Sequence, residues 1–332
     1  MFTRKLFTAV TLSIALAGVA LPALGKNTDI PPPPGQWGPG DFPSSGPAGT
    51  EYIGISGIPG NNNVTREYKV HVPKSYRAGV ATPLVFCLHA VVETTTMFCV
   101  DGSNTSGPGP NGDTGSFITQ SDNDGFILVM PQGFHHAWNA GACCSRRYDD
   151  VAFIRAVLAE VETHLNVDTK RVYAAGWSNG AFMSEKLACD ASDLFAAIVD
   201  GSGGIVTGGC TPQNHVAVLQ FHGNKDHIVP YALMNSTDTK WANLNGCNAA
   251  TTSASFPNSG GDTTCVTHTG CPADGTVTAC TIDGGGHCWY GSPSCGTGFG
   301  PLAAKIALLG ASNSNFTVES DDFWPFLKQF HR

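Results

Sequence analysis

The run Arg171-Val-Tyr-Ala-Ala-Gly-Trp-Ser-Asn-Gly-Ala-Phe-Met-Ser184 decides the fold. Val172 to Ala175 is apolar, as a buried strand must be, and Ala181 to Ala188 is a helix former. Between them stands Gly176-x-Ser178-x-Gly180. A chain that turns so tightly from strand into helix strains its central residue, and the neighbours two positions away must be small. The turn lifts the Ser178 hydroxyl above the sheet edge. It also aims the Asn179 backbone N–H, at a helix N-terminus, toward the same point. Ser178 therefore reads as a nucleophile on an elbow.

The elbow sits in an alternating chain. Glu67 to Val72 alternates like a half-buried strand, and Leu84 to Leu88 is continuously apolar, as a central parallel strand requires. Phe126 to Met130 is a further strand, closed by Pro131. Asp150 is expected to cap a helix whose apolar face is Ile154, Val157, Leu158, Val161 and Leu165. Ala196 to Val199, Val216 to Phe221 and Thr276 to Ile282 read as strands, and Asp321 to Phe330 as a closing amphipathic helix. This predicts an α/β protein: a mainly parallel, doubly wound sheet with helices on both faces. Residues 101–116 read as a surface loop, because the Glu that would close a calcium loop is missing.

Composition narrows the setting. Arg4 and Lys5 precede an apolar run from Leu6 to Leu24, so residues 1–25 are expected to be a secretory signal peptide cleaved near Gly25. Thr11, Ser13 and Pro22 break that run, which argues against a membrane anchor. Residues 26–50, with Pro31 to Pro34, read as a Pro/Gly-rich linker or disordered arm. Residues 51–332 are then one catalytic domain, expected to be monomeric. The net charge of −8 becomes about −10 without the leader, and no basic stripe offers a nucleic-acid surface. Twelve cysteines behind a signal peptide predict disulfide-stabilised loops and secretion. No Cys-x-x-Cys pair or His knuckle supports zinc, and no metal or cofactor is expected. Local pairing suggests Cys87–Cys99, Cys189–Cys210 and Cys288–Cys295, with residues 247–275 as a disulfide-pinned excursion. Sequons begin at Asn63, Asn104, Asn235 and Asn315.

A serine hydroxyl needs a base, and the base needs an orienter. Asp226, in Phe221-His222-Gly223-Asn224-Lys225-Asp226, follows a strand. His287 follows another, behind Gly284-Gly285-Gly286. Loops after strand carboxyl ends are where such sites form. We assign Ser178 as nucleophile, His287 as general base and then acid, and Asp226 as orienter. Asp200 and Asp283 are rival acids, while His135, His136 and His222 read as loop or core residues. The oxyanion donors are expected from Asn179 and from Leu88-His89-Ala90-Val91, with His89 and Ala90 the residues singled out.

These motifs together resemble the secreted feruloyl esterase and polyhydroxybutyrate depolymerase-like esterases of the α/β-hydrolase superfamily. The likeness runs from about residue 64 to the C-terminus. It includes Leu88-His89, Met130-Pro-Gln-Gly133, Trp138-Asn139 leading to Cys143-Cys144, and Tyr148-Asp-Asp-Val-Ala-Phe153. It continues through Lys170 to Gly180, Leu194-Phe-Ala-Ala197, Phe221 to Asp226, and Gly284-Gly-Gly-His287-x-Trp289. The resemblance implies the triad Ser178, Asp226 and His287, donors from the His89 segment and Asn179, and an acyl-enzyme on Ser178. It implies feruloyl esters of plant cell-wall polysaccharide as substrate, with polyhydroxyalkanoate or acetylated xylan as alternatives. Trp138 and Trp289 are candidates for packing against that substrate, and loops 99–117 and 247–275 for shaping the pocket. Two positions depart from the family. Ala90 replaces a usual Gly, which strains the oxyanion segment if positive φ is needed there, and Tyr290 replaces a usual Pro. The Ala90 change keeps a non-catalytic binding protein on the same scaffold as an alternative. A peptidase is the third reading.

Overall fold

Eleven strands form one sheet in the computed structural model, which describes residues 37, 40–42, 52–100, 117–256, 262–290 and 319–332. In chain order the strands are β1 (Gly40–Phe42), β2 (Ile53–Ile55), β3 (Arg66–Val72), β4 (Thr82–Leu88), β5 (Ile127–Pro131) and β6 (Val167–Trp177). They continue as β7 (Ala197–Gly201), β8 (Ala217–Gly223), β9 (Thr251–Ser255), β10 (Thr263–His268) and β11 (Val277–Ile282). The helices are α1 (Phe117–Asp124), α2 (Asp150–His164), α3 (Asn179–Asp190), α4 (Tyr231–Leu244) and α5 (Glu319–Leu327). The sheet order is β1-β3-β5-β4-β6-β7-β8-β11-β10-β9, with β2 beside β3. From β5 to β11 the pairing is parallel, and antiparallel strands finish both ends. This is the α/β-hydrolase architecture that the sequence predicts.

The central strands are apolar throughout because both faces are covered. Leu84, Phe86 and Leu88 of β4 face one core with Ile127, Val129, Val172 and Ala174, under α2, α3 and α4. Val85, Cys87, Leu128, Met130, Tyr173 and Ala175 face the other, under α1 and α5. Full burial of one such large side chain stabilises by about 1.5–3 kcal/mol.

Helix α2 begins one residue earlier than expected. Asp149 is the cap, accepting from the Ala152 N–H at 3.0 Å. Asp150 instead lies inside the first turn, buried, with one oxygen 2.6 Å from Arg66 and the other accepting the Asn139 N–H at 2.6 Å. The ion pair is thus spent on anchoring the loop before the helix.

Among the described residues the disulfides are Cys87–Cys99 and Cys189–Cys210, as expected, together with Cys143–Cys144, Cys247–Cys271 and Cys265–Cys280. Cys288 is also disulfide-bonded, and its expected partner Cys295 lies outside the described residues. The 247–275 excursion is an antiparallel extension of the sheet, β9 and β10, pinned as anticipated. The expected signal peptide, most of the 26–50 arm, the expected 101–116 loop, Asn104 and Asn315 lie outside the described residues. Within the arm, Gly40–Phe42 pairs with β3, and Trp37 is buried with its ring stacked on His164, so these residues belong to the fold. Asn63 and Asn235 are both exposed.

Packing at the elbow explains its glycines. A methyl group on Gly176 would collide with the Gly180 carbonyl, and one on Gly180 would collide with the Leu88 carbonyl. Gly180→Ala is expected to cost about 3 kcal/mol or more, because backbone on both sides must shift. A melting temperature equal to wild type would contradict this packing.

Candidate active site

The carboxyl ends of β6, β8 and β11 bring three predicted residues together. Ser178 follows β6 with φ 54° and ψ −115°, a strained conformation for a residue with a side chain. Its N–H bonds to Gly201 O at 2.8 Å, and its hydroxyl makes no cap bond to α3. That hydroxyl instead meets His287 Nε2 at 2.9 Å. His287 Nδ1 meets Asp226 Oδ2 at 2.7 Å. Asp226 Oδ1 accepts the Ile228 and Val229 N–H groups at 2.8 and 2.9 Å.

The loops carrying Asp226 and His287 are fastened to each other. Asn224 donates to Asp283 Oδ1 at 2.8 Å and accepts the Gly284 N–H at 2.8 Å. Lys225 N–H reaches Gly285 O at 2.8 Å. The rival acid Asp283 is therefore a loop fastener. Asp200, the other rival, is buried beside Glu185 and accepts the Gly203 N–H at 2.7 Å. His222 is core, as expected, but it also touches the site. Its Nε2 lies 2.9 Å from Val229 O and 3.2 Å from Asp226 Oδ2, so that nitrogen carries the hydrogen. Burial opposes charge on Asp226, but the hydrogen bonds from His222 and His287 outweigh it and hold the carboxylate well below its ordinary range.

The His89 segment takes roles different from those expected. His89 is fully buried, and Nε2 accepts from Gly133 N–H and Gln132 Nε2, both at 2.9 Å. Its other nitrogen, Nδ1, must then donate to Ala90 O, at 2.7 Å. Burial lowers the His89 pKa to about 4, which keeps the ring neutral. Ala90 has no positive φ, so the anticipated strain is absent there; Val92 carries it, at φ 65°. The Ala90 N–H is taken by Glu93 Oε2 at 3.1 Å. Neither the His89 ring nor the Ala90 amide is therefore an available donor. In a trans peptide C=O and N–H point opposite ways. With Ala90 O turned to the His89 ring, the Val91 N–H turns away from it, and among the described residues it has no hydrogen-bond partner. Of this segment's amides, with those of Ala90, Val92 and Glu93 all bonded, the Val91 N–H is the one left available.

Trp138 and Trp289 are both buried, at 0% and 1% exposure. Trp138 donates its indole N–H to His89 O at 2.8 Å and its backbone N–H to Asn179 Oδ1 at 2.7 Å. It braces both donor segments and offers no free face. Trp289 packs against Phe98 and Phe117. Sequence reading placed Val91 in the donor segment but singled out its neighbours, and it missed Glu93 and the Cys143–Cys144 pairing, whose Cys143 sulfur lies 4.0 Å from Asn179 Nδ2. A charged residue in an otherwise uncharged loop was the available signal for Glu93.

Three of the four large hydrophobic residues exposed among the described residues, Val91, Val92 and Ile228, lie on the loops flanking the array. A cavity of about 380 Å³ lined by Lys170, His215 and Arg332 lies at the opposite, amino end of the strands and is no part of it. Among the described residues no group of three or more His, Cys, Asp or Glu could hold a metal, and no helix is long and apolar enough to cross a membrane.

A serine on a strand–helix elbow, bonded to a histidine that is bonded to a buried carboxylate, defines a serine-hydrolase-type site on an α/β-hydrolase sheet. A family model described as Phospholipase/Carboxylesterase matches residues 151–263. Feruloyl esterase B of Piromyces equi is 30% identical over 246 residues, which cover 67% of this chain and 42% of that protein. Feruloyl esterase D of Neurospora crassa is 27% identical over 227 residues, covering 68% of this chain and 75% of that protein. The chain spans about two-fifths of the length of the first of these curated relatives. An acetyl xylan esterase structure from Aspergillus awamori shares the fold, with a TM-score of 0.55 at 15% identity over 79% of this chain and 100% of that one. The chain has the α/β-hydrolase fold and is similar in sequence to the fungal feruloyl esterases.

Proposed function

We propose that this chain is a secreted serine carboxylesterase that works through an acyl-enzyme on Ser178, with feruloyl esters of plant cell-wall polysaccharide as substrate. The hydrogen-bonded array Ser178–His287–Asp226 carries the reading. His287 Nε2 takes the Ser178 proton as Oγ attacks the ester carbonyl carbon. The carbonyl oxygen becomes an anion held by the Asn179 and Val91 N–H groups. Collapse breaks the bond to the alcohol oxygen, which leaves with the proton from His287. Water, deprotonated by the same nitrogen, then cleaves the acyl-enzyme and restores Ser178. Losing one of two such donors costs roughly 3–4 kcal/mol of transition-state stabilisation.

The acyl preference rests on the relatives' names and on the apolar rim of Val91, Val92 and Ile228, which suits an acyl group larger and less polar than acetate. Secretion rests on the leader-like residues 1–25 and on the disulfides, which persist in oxidising compartments. With Ala90 unstrained, the motive for a non-catalytic binding role falls away.

Product release from methyl ferulate, p-nitrophenyl butyrate, acetylated xylan and polyhydroxybutyrate tests this. Ferulate release at the highest kcat/KM is expected. Preference for the polyester or for acetyl groups would overturn the acyl assignment and leave the mechanism standing. Amide cleavage at rates near those of matched esters would favour a peptidase.

A further inference from the structure

Glu93 is a buried carboxyl that the proposed chemistry does not use. It is 4% exposed, beyond the end of β4. Oε2 accepts the Ala90 N–H at 3.1 Å, and among the described residues Oε1 has no hydrogen-bond partner. The ionisable groups around it are committed elsewhere. His89 bonds Ala90 O at 2.7 Å and stays neutral. From the 132–138 loop, His136 Nδ1 meets the Glu93 backbone carbonyl at 3.0 Å and not its carboxyl. From β3, Lys69 Nζ bonds Thr96 Oγ1 at 3.0 Å. Among the described residues no cation pairs with the Glu93 carboxyl.

Three bonds clamp Ala90 from opposite sides: its N–H is held by the Glu93 carboxyl, and its C=O by the His89 ring and, at 3.3 Å, by the Glu93 backbone N–H. Together they orient the next peptide. We propose that Glu93 is a positioning residue for this site: it holds the Ala90 amide so that the Val91 N–H faces the substrate oxygen, and it must be uncharged while that oxygen becomes an anion. No proton leaves Glu93 during the reaction. The inference rests on the esterase reading above. The carboxyl is suited to the role, because burial pushes it up to about 8 against the opposing pull of the Ala90 hydrogen bond. Above that pH a carboxylate would sit one peptide from the developing alkoxide, and the two like charges would repel.

The test compares full-length wild type with Glu93→Gln, which keeps an acceptor for Ala90 and loses the charge. The readout is kcat/KM for p-nitrophenyl butyrate from pH 6 to 10, as wild type over background. Wild type is expected to fall above about pH 8. The variant lacks that fall, so the variant-to-wild-type ratio grows about tenfold per pH unit beyond the midpoint. A second readout needs no catalysis. A carboxyl raised in the fold contributes stability that is present below its unfolded value and lost as pH rises through the folded one. Glu93→Gln should therefore melt above wild type at pH 8–9 and level with it near pH 4. Parallel pH–rate profiles overturn the proposal, since a merely structural Glu93 moves melting alone. An active wild type with no alkaline fall overturns it whether or not the variant folds. Glu93→Met, apolar and of similar length, serves as the second variant. A wild type that hydrolyses no ester and leaves Ser178 unlabelled by an organophosphonate defeats the esterase reading instead, and the melting comparison still reports on the charge.

Discussion

Replacing Ser178 with Ala lowers kcat on p-nitrophenyl butyrate by about 10⁵–10⁶, the loss expected when a triad nucleophile is removed. The size follows from the geometry. His287 Nε2 has the Ser178 hydroxyl as its partner at 2.9 Å, so the variant leaves the base with nothing to activate except water. Any residual catalysis then comes from the proposed Asn179 and Val91 donors. Stability should hardly move. Ser178 Oγ does not cap α3, and Ala accepts φ 54° no more readily than Ser. An organophosphonate should label wild type at Ser178 and leave the variant untouched. Residual activity within tenfold of wild type would sink the nucleophile assignment.

Asp226→Asn should cost about 10⁴ in kcat, because the imidazole loses its orienting acceptor. Asp226 Oδ2 receives hydrogens from both His222 and His287, while Oδ1 receives two backbone N–H groups. Asn can keep only one side of that arrangement. If its oxygen stays with Ile228 and Val229, its NH₂ faces two imidazole N–H donors, and His287 must turn or change tautomer. The pH dependence has a fixed sign. The folded-state pKa of Asp226 is depressed, so its contribution is present above the unfolded value of about 3.9 and lost as pH falls through the folded one. Wild type should keep this contribution into mild acid, where the variant gains nothing by comparison. Equal kcat in the two proteins would show that another carboxylate serves His287.

Local chemistry made the elbow and the two triad loops legible. Gly176 and Gly180 are required by collisions within a few residues, and Asp226 and His287 each follow an apolar run that could only be a covered strand. What escaped depends on contacts distant in sequence. Whether Ala90 is strained turns on the path of the loop to Val92, which a single Gly-to-Ala difference does not reveal. Asp150 looks like a cap until Arg66, 84 residues away, claims it. Trp138 reads as a substrate platform until Asn179 and His89 close over it. The strands β9 and β10 hide in a Thr/Ser run where β9 is exposed along its whole length, so no burial pattern marks it.

The disulfide between Cys87 and Cys99 has its ends on β4 and on the helical turn beyond the donor loop. Residues 88–98 are therefore part of a covalent macrocycle, and Val91, Val92 and Glu93 all lie inside it. A closed ring has fewer shapes to explore than an open chain of equal length. Much of the ordering that a donor loop would otherwise undergo on meeting its substrate is complete before the substrate arrives. Thiols take no part in the proposed chemistry, yet the speed of that chemistry is tied to the oxidised state of this pair: opened by a reductant, the ring becomes an ordinary loop, and the Val91 amide no longer waits in place.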